Sequence, residues 1–204
     1  MIKCILCESF SFSIICKACQ NNILDPKLYK RELTKGFFIY SFYKYDEIKE
    51  LINSKYQFYG DEVFKILASL SLKKFSSNFT FNNKIYAIPI DDHTRHDFSH
   101  TAILAKSLKS KYITVKYNSL KATNIVKYAG HDKTFREKNK RNFIYTGDKN
   151  IQVILVDDII TTGSTILEAK QILEKYNCEV IFALTLSDVK ETTKISSSIY
   201  TSIM

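Results

Sequence analysis

The chain has 204 residues, of which 45% are hydrophobic and 25% charged, and its formal net charge is +9. This length suffices for one main core and a small appendage but hardly for two full domains. The composition excludes a disordered chain, and no apolar run is long enough to cross a bilayer. We therefore expect a soluble protein without a transmembrane segment.

The first twenty residues are rich in cysteine: Cys4, Cys7, Cys16 and Cys19 have the spacing C-x2-C-x8-C-x2-C. Two such hairpins can present four thiolates to one Zn²⁺, and so short a segment needs a staple to fold. We therefore predict a structural zinc knuckle. A redox pair and unligated cysteines are the alternatives, because neither hairpin contains the glycine that usually eases its turn. Cys178 stands alone before a predicted buried strand and is interpreted as a core residue.

The same N-terminal stretch is the only part of the sequence that resembles a signal peptide. Glu8 interrupts its apolar run, four cysteines crowd it, and no small-residue cleavage site follows. We therefore expect a cytoplasmic protein.

After residue 35 the sequence alternates between strand and helix patterns. Apolar and aromatic runs predict strands over residues 36–45, 84–90, 112–117, 151–156 and 179–186. Amphipathic runs predict helices over residues 46–55, 61–75, 98–110 and 164–176. Such alternation implies right-handed crossovers, so we predict an α/β fold with a parallel sheet and helices on both faces.

Three regions lack this alternation. Residues 21–34 are interpreted as a connector, which divides the chain into a cysteine segment with its linker over 1–34 and an α/β domain over 35–204. Residues 116–147 show no clean period and predict a long, partly mobile loop or a hairpin. The serine-rich residues after 194 predict the exit from the last strand and a frayed end.

The sequence ILVDDIITTGST at residues 154–165 carries the main functional signal. It places the end of a buried strand before a helix, and ligands of open parallel sheets gather at this edge. The backbone N–H groups of residues 162–165 are expected to point outward and bind an anion, with Gly163 allowing close approach. Hydroxyl groups add donors for phosphate oxygens, and they belong to Thr161, Thr162, Ser164 and Thr165.

Two adjacent acids, Asp157 and Asp158, precede this loop. Carboxylates repel phosphate, so these acids suit vicinal sugar hydroxyls and a divalent cation instead. The loop and the acids together predict a site for a ribose 5-phosphate. The alternative is a helix cap with a hydrated neighbouring acid, but capping needs only one such residue.

This stretch resembles the 5-phosphoribosyl-1-pyrophosphate (PRPP) motif of type I phosphoribosyltransferases. The resemblance implies that Asp157 and Asp158 are the catalytic pair and hold the ribose hydroxyls, that residues 161–165 hold the 5-phosphate, and that Mg²⁺ accompanies PRPP. Purine-salvage members carry an aspartate at the position of Thr161, and it handles a proton of the base. Thr161 cannot titrate near neutral pH, so purine salvage loses support and an orotate-like reaction stays open.

Catalysis by such a site also needs a cation that stabilises the departing pyrophosphate. Arg95, which follows IPIDDHT, is our candidate for a contact with PRPP. Further candidates lie in the irregular region, namely Lys133, Arg136, Lys138, Lys140 and Arg141. The sequence alone does not select among them.

The order of cysteine segment, aromatic strand and PRPP-type loop resembles the ComF family, the competence proteins of naturally transformable bacteria. The resemblance covers essentially the whole chain, and KYQFYGD at Lys55–Asp61 is similar to the family's lysine and glycine-aspartate signature. Elsewhere the matching residues are sparser: Pro89, Arg95, Phe98, Tyr128, Gly130, Arg136 and Asn139. Membership would imply a role in DNA uptake, in the cytoplasm or at the inner face of the membrane. Its partners would be single-stranded DNA, a competence ATPase or helicase, and DNA-processing proteins.

The distribution of charge suits a polyanionic partner. Residues 102–150 contain 12 Lys and Arg and 3 acids, a surplus equal to the net charge of the whole chain. Aromatic residues interleave with these cations and are candidate stacking platforms for bases: Tyr112, Tyr117, Tyr128, Phe135, Phe143 and Tyr145. The alternatives are a solvated lysine-rich face and aromatic residues of the core.

Two functions stay open. The first is a ComF-like protein that binds single-stranded DNA and, with magnesium, PRPP or another 5-phosphorylated ribose. The second is an active phosphoribosyltransferase that transfers ribose 5-phosphate from PRPP to a nitrogenous base. We assign no role to the histidines, which are interpreted as surface residues: His93, His96, His100 and His131. A phosphate contact is the alternative for His93, His96 and His100, which lie around a predicted helix start.

Overall fold

A computed structural model describes residues 1–90, 99–124, 141–190 and 193–195 of the protein. The strands are β1 Ile2–Lys3, β2 Phe10–Ser11, β3 Leu28–Thr34, β4 Phe37–Lys44, β5 Ile85–Pro89, β6 Ile113–Val115, β7 Leu120–Ala122, β8 Phe143–Tyr145, β9 Gln152–Ile160, β10 Glu179–Asp188 and β11 Thr193–Ile195. The helices are α1 Lys17–Asn22, α2 Tyr45–Asn53, α3 Gly60–Leu70, α4 Leu72–Asn78, α5 His100–Ser107 and α6 Ser164–Glu174, and a 3₁₀ turn spans Ser54–Tyr56.

The main sheet has the strand order β11-β3-β4-β10-β9-β5-β6 among the described residues. The five strands from β4 to β6 in this order are parallel, which confirms the predicted α/β class. β3 and β11 add an antiparallel edge.

The interpretation of residues 21–34 as a connector is wrong for residues 28–34, because these form β3 and pair with β4. The turn between the two strands contains Gly36 at φ +76°, and its N–H donates to Glu32 Oε1 at 2.8 Å. The polar residues of β3, among them Lys30, Arg31 and Glu32, obscure the strand pattern in the sequence. The division of the chain at residue 34 stays a prediction, although β3 lies in the same sheet as the residues that follow it.

Two apolar cores cover the two faces of the sheet. Along β9, Ile154 and Val156 face the core that contains α2 to α5, while Val153 and Leu155 face the core that contains α6 and the hairpin of β7 and β8. This alternation follows from the two-residue period of a strand. Asp157 and Asp158, which come next in β9, therefore lie on opposite faces of the sheet.

The structure also tests two further predictions, one for a helix and one for a hairpin. The helix predicted over residues 61–75 is broken at Ser71, whose hydroxyl donates to the carbonyl of Leu67 at 2.6 Å and bends the chain between α3 and α4. The hairpin alternative for residues 116–147 is confirmed by the antiparallel pairing of β7 with β8. Residues 196–204 lie outside the described residues.

The N-terminal segment packs against the first core through Ile15 and Leu24, which are almost fully buried. Within the described ranges, no helix combines the length and apolar character needed to cross a membrane.

Candidate functional site

The loop of residues 161–165 joins β9 to α6 at the carboxyl edge of the sheet. Its residues and Asp157 line a hollow that opens to solvent. The first N–H groups of a helix have no acceptor within the helix itself, so α6 presents donors to this hollow. The hydroxyl oxygens of Thr162 and Ser164 lie 3.1 Å apart beside them. Backbone and side-chain donors therefore converge on a position suited to an anion.

Gly163 fixes the shape of this loop. It caps α6 in the left-handed conformation, with φ +86° and ψ 3°. A Cβ at this position would lie 2.4 Å from Leu33 Cδ1, so β3 packs directly beneath the loop. Glycine is favoured here by the backbone conformation, and a Cβ would in addition displace the partly buried side chain of Leu33.

Replacing Gly163 with alanine is expected to destabilise the protein by about 2–4 kcal/mol, because it adds a steric clash to left-handed strain. Gly36→Ala is the matched control, since Gly36 has φ +76° and open space around the position of a Cβ. That control should show only the strain, about 1 kcal/mol. Thermal or urea unfolding of both variants measures the difference, and equal losses would contradict the close packing on Leu33.

The two acids of β9, Asp157 and Asp158, lie in different environments. Asp157 lines the hollow. Asp158 is 4% exposed and lies on the other face, where its Oδ2 accepts from Lys55 Nζ at 2.7 Å and lies 3.5 Å from His100 Nε2. The backbone N–H of Asp158 donates to Asp157 Oδ1 at 2.9 Å, which links the two carboxylates through the strand itself.

Asp158 is held as a carboxylate by its cationic neighbours. Burial acts to raise the pKa of Asp158, but Lys55 and then His100 outweigh it and bring that pKa well below its usual range. Burial likewise acts to lower the pKa of Lys55, and Asp158 more than reverses this, so the lysine stays protonated. Lys55 and Asp158 therefore both stay charged throughout the physiological pH range.

Asp157 has the opposite tendency. Burial and the neighbouring charge of Asp158 raise the pKa of Asp157 well above its ordinary value, although Arg141 and Lys55 partly offset them. Arg141 is anchored near this acid because its backbone N–H donates to Glu168 Oε2 at 3.0 Å on α6. Asp157 is therefore an acid that the folded protein tolerates at some cost in stability.

Asp157→Asn is expected to stabilise the folded protein at neutral pH by on the order of 1 kcal/mol. A carboxyl whose pKa is raised by folding weakens stability as pH rises above the unfolded pKa of about 3.9, and the full loss is present above the folded pKa. The gain in the variant should therefore be largest near pH 8 and shrink towards pH 4. Asp148→Asn, at an exposed acid paired with Lys116, should give no such gain. Melting temperatures across this pH range test the trend, and a gain that grows on acidification would contradict it.

One oxygen of each acid already accepts a hydrogen bond: Asp158 Oδ2 from Lys55, and Asp157 Oδ1 from the backbone N–H of Asp158. Mg²⁺ demands near-octahedral oxygen ligation and usually binds through substrate phosphates with one or two carboxylates. The second oxygen of each carboxylate could ligate such an ion, whereas an ion at Asp158 Oδ2 would compete with Lys55.

The four N-terminal cysteines meet the geometry of a metal site. Their sulfur atoms all lie within 4.8 Å of one another, with Cys4 to Cys19 at 3.9 Å and Cys7 to Cys16 at 3.6 Å. A tetrahedral zinc with Zn–S bonds of about 2.3 Å places its sulfurs about 3.8 Å apart, whereas a disulfide needs about 2.05 Å. The cluster of Cys4, Cys7, Cys16 and Cys19 can therefore hold one metal ion.

The surroundings of this four-cysteine cluster also suit a metal. Burial opposes ionisation of Cys4, but backbone N–H groups directed at its sulfur, that of Cys16 first at 3.3 Å, lower its pKa to about 6. Burial and hydrogen bonding with the other sulfurs raise the pKa of Cys19. Four sulfurs so close together resist complete ionisation until a divalent cation binds them.

A sequence profile of the phosphoribosyl transferase domain matches residues 102–203, half of the chain. The chain belongs to the phosphoribosyl transferase domain family. The matched region includes β9, the loop of residues 161–165 and α6. The motif that predicted a ribose 5-phosphate site thus lies inside the domain that defines the family.

The solved structures that match this chain include two phosphoribosyltransferases. Hypoxanthine phosphoribosyltransferase from Staphylococcus aureus is 13% identical, with 66% of this chain and 70% of that chain covered and a TM-score of 0.38. Adenine phosphoribosyl transferase from Trypanosoma brucei, solved with AMP, pyrophosphate and ribose-5-phosphate, is also 13% identical, with 80% and 76% covered and a TM-score of 0.36. No match was found among curated protein sequences. The family assignment rests on the sequence profile.

In this phosphoribosyltransferase domain, the acids and the loop residues predicted for the site lie together at one edge of the sheet. Arg141 is the one predicted cation that falls within the described residues, and it acts on Asp157. The other predicted cations lie outside the described residues: Arg95, Lys133, Arg136, Lys138 and Lys140. The contact of Arg95 with PRPP therefore stays a prediction.

Three residues at this candidate site were not predicted to act there. Lys55 and His100 contact Asp158. Arg31 on β3 donates to Asp188 Oδ1 at 2.7 Å and to the carbonyl of Thr161 at 3.2 Å. Arg31 thereby ties the start of the loop to the end of β10. Only Lys55 carried a signal in the sequence, as part of the KYQFYGD signature.

Proposed function

We propose that the protein binds PRPP or another 5-phosphorylated ribose through Asp157, Asp158 and residues 161–165, and that it acts on single-stranded DNA during natural transformation. One observation carries the ligand proposal: a glycine-capped helix start and two acids share one edge of the sheet. The helix start suits the 5-phosphate, and the acids suit the vicinal hydroxyls of the sugar. PRPP would bring its own magnesium, because a diphosphate is a strong ligand for that ion.

The DNA part of the proposal is supported by the resemblance to the ComF family and by charge. The basic region of residues 102–150 includes Lys106, Lys109, Lys111 and Lys121, which are exposed. These cations can track a phosphate backbone. The role implies a cytoplasmic protein that works with a competence ATPase or helicase and with DNA-processing proteins.

The aromatic residues predicted as stacking platforms divide into core and surface. Phe143 and Tyr145 are buried, which favours the core alternative for both, and Tyr112 packs against the first core. Tyr117 is 45% exposed and remains a candidate stacking platform for bases. Tyr128 and Phe135 lie outside the described residues. A more exposed aromatic side chain was not predicted: Phe58 is 89% exposed in the turn that follows Lys55.

Single-stranded DNA is expected to bind with an affinity that falls steeply with salt. Lys109→Ala with Lys111→Ala should weaken binding and lower the slope of log K against log salt by about 1–2. Lys73→Ala with Lys74→Ala is the matched control, because these exposed lysines lie on α4, outside the basic region. Fluorescence anisotropy with a labelled oligonucleotide measures both. Binding that ignores salt, or equal losses in the two double variants, would count against the basic region as the DNA surface.

A second candidate function is transfer of ribose 5-phosphate from PRPP to a nitrogenous base, which membership of the phosphoribosyl transferase domain family favours. Thr161 stands where purine-salvage members carry an acid, so a base that needs no proton transfer at that position is the expected acceptor class. Pyrophosphate release from PRPP with a panel of bases and Mg²⁺ tests this function. Pyrophosphate release above background would establish catalysis. Binding of PRPP without pyrophosphate release would indicate a ligand sensor instead.

A further inference from the structure

Lys55 reaches the acid pair from a distant part of the chain. Its Nζ lies 2.7 Å from Asp158 Oδ2, and the two side chains are only 16% and 5% exposed. A buried ion pair persists only where its geometry compensates for the water that both charges lose. Lys55 is therefore a built part of the site and not a surface charge that happens to lie near it.

The segment that carries Lys55 is rigid. The 3₁₀ turn Ser54–Tyr56 is held by the Ser54 hydroxyl, which donates to the carbonyl of Leu51 at 2.6 Å. Gly60 closes the turn so tightly that a Cβ there would lie 2.2 Å from the carbonyl oxygen of Ser54. The ammonium group thus stands in place before any ligand arrives, and its position needs no reorganisation on binding.

The charges of the two acids are compensated by the protein itself. Lys55 and His100 face Asp158, and Arg141 acts on Asp157. Two uncompensated carboxylates beside a phosphate site would repel the ligand, and a divalent cation would be one remedy. Here Lys55 places a positive charge beside Asp158 Oδ2, so the protein itself supplies part of this compensation.

We propose that Lys55 is the resident cation of the ribose subsite: it neutralises Asp158 and fixes the position of its carboxylate, so that a 5-phosphorylated ribose binds without a divalent metal ion. This inference rests on the proposed phosphoribosyl site. Magnesium then enters only with a ligand that carries a diphosphate. Lys55 is a positioning residue, since it acts on the sugar through Asp158.

Calorimetric titration with ribose 5-phosphate tests the inference, because this ligand has no diphosphate to carry magnesium. The full-length protein should bind it with affinities that agree within about twofold in magnesium-free buffer without chelator, which leaves the four-cysteine cluster loaded, and in excess MgCl₂. Lys55→Met should bind at least about tenfold more weakly in the magnesium-free buffer, and MgCl₂ should restore part of the loss. Lys65→Met, at an exposed lysine of α3 paired with Asp61 and Glu62, is the control and should bind like the unmodified protein.

A second variant covers the case in which Lys55→Met does not fold. Lys55→Met with Asp158→Asn removes both charges of the buried pair and should keep the fold while losing affinity in both buffers. Binding by the unmodified protein in MgCl₂ but not in magnesium-free buffer would overturn the role of Lys55 and leave the phosphoribosyl site intact. Unchanged affinity of Lys55→Met in magnesium-free buffer would overturn it as well. No heat in either buffer would overturn the proposed ligand site, and the inference with it.

Discussion

Replacing Cys4 or Cys19 with serine is expected to abolish metal binding and to unfold the N-terminal segment. A thiolate supplies the charge and the soft ligand that zinc requires, and a serine hydroxyl supplies neither. The segment buries Ile15 and Leu24 in the first core, so its release exposes apolar surface worth at least about 3 kcal/mol. We expect the largest loss of stability among all the variants from this change.

Cys178→Ala is the matched control for this experiment. Cys178 is buried against the second core and lies outside the four-cysteine cluster. It should keep the metal and lose only the packing of one small side chain, about 1 kcal/mol. Zinc content after purification without added metal, with thermal unfolding, distinguishes the variants. Substoichiometric zinc with four free thiols in the unmodified protein would remove the zinc proposal.

Replacing both Asp157 and Asp158 with asparagine is expected to weaken the binding of PRPP by about 100-fold or more. Hydrogen bonds from sugar hydroxyls to ionised acceptors contribute about 1.5–3 kcal/mol each, and the change weakens two such acceptors. Glu62→Gln with Glu174→Gln removes the same charge from two exposed acids that pair with Lys65 and Lys170, and should leave binding unchanged. Isothermal titration of both double variants measures the difference.

The fold of the double variant needs a separate check, because Asp158→Asn leaves Lys55 buried with a neutral partner. Circular dichroism monitors this, and Asp157→Asn alone keeps the Lys55 pair intact. The single variant should still lose at least about tenfold in affinity. Full PRPP binding by the double variant would contradict the assignment of the acids to the sugar.

The sequence predicted the features of the site that are local in the chain. The loop of residues 161–165 and the acids of β9 lie within one short stretch, where strand period, glycine and hydroxyl residues combine in a single pattern. The four cysteines were predicted to meet for the same reason, since their spacing is regular. Short-range patterns of this kind specify backbone geometry directly.

The contacts that support the site could not be predicted in this way. Lys55 meets Asp158, and Arg31 meets Asp188, across more than a hundred residues of chain. Such contacts depend on the order of strands in the sheet, which brings β3 close to β10 and the turn after α2 close to β9. His100 was interpreted as a surface residue because a single helix start does not reveal what lies opposite it. The contact of Leu33 with Gly163 could not be predicted, because the sequence pattern of residues 28–34 indicates a connector and not a strand.

Titration of the unmodified protein with PRPP and with ribose 5-phosphate, in the presence of magnesium, tests the central claim most directly. We predict saturable heat at one site per chain for both ligands. The variant with Asp157→Asn and Asp158→Asn should lose this heat. Absence of heat for every phosphorylated pentose tried would contradict it, and would leave the family membership and the fold without the proposed ligand.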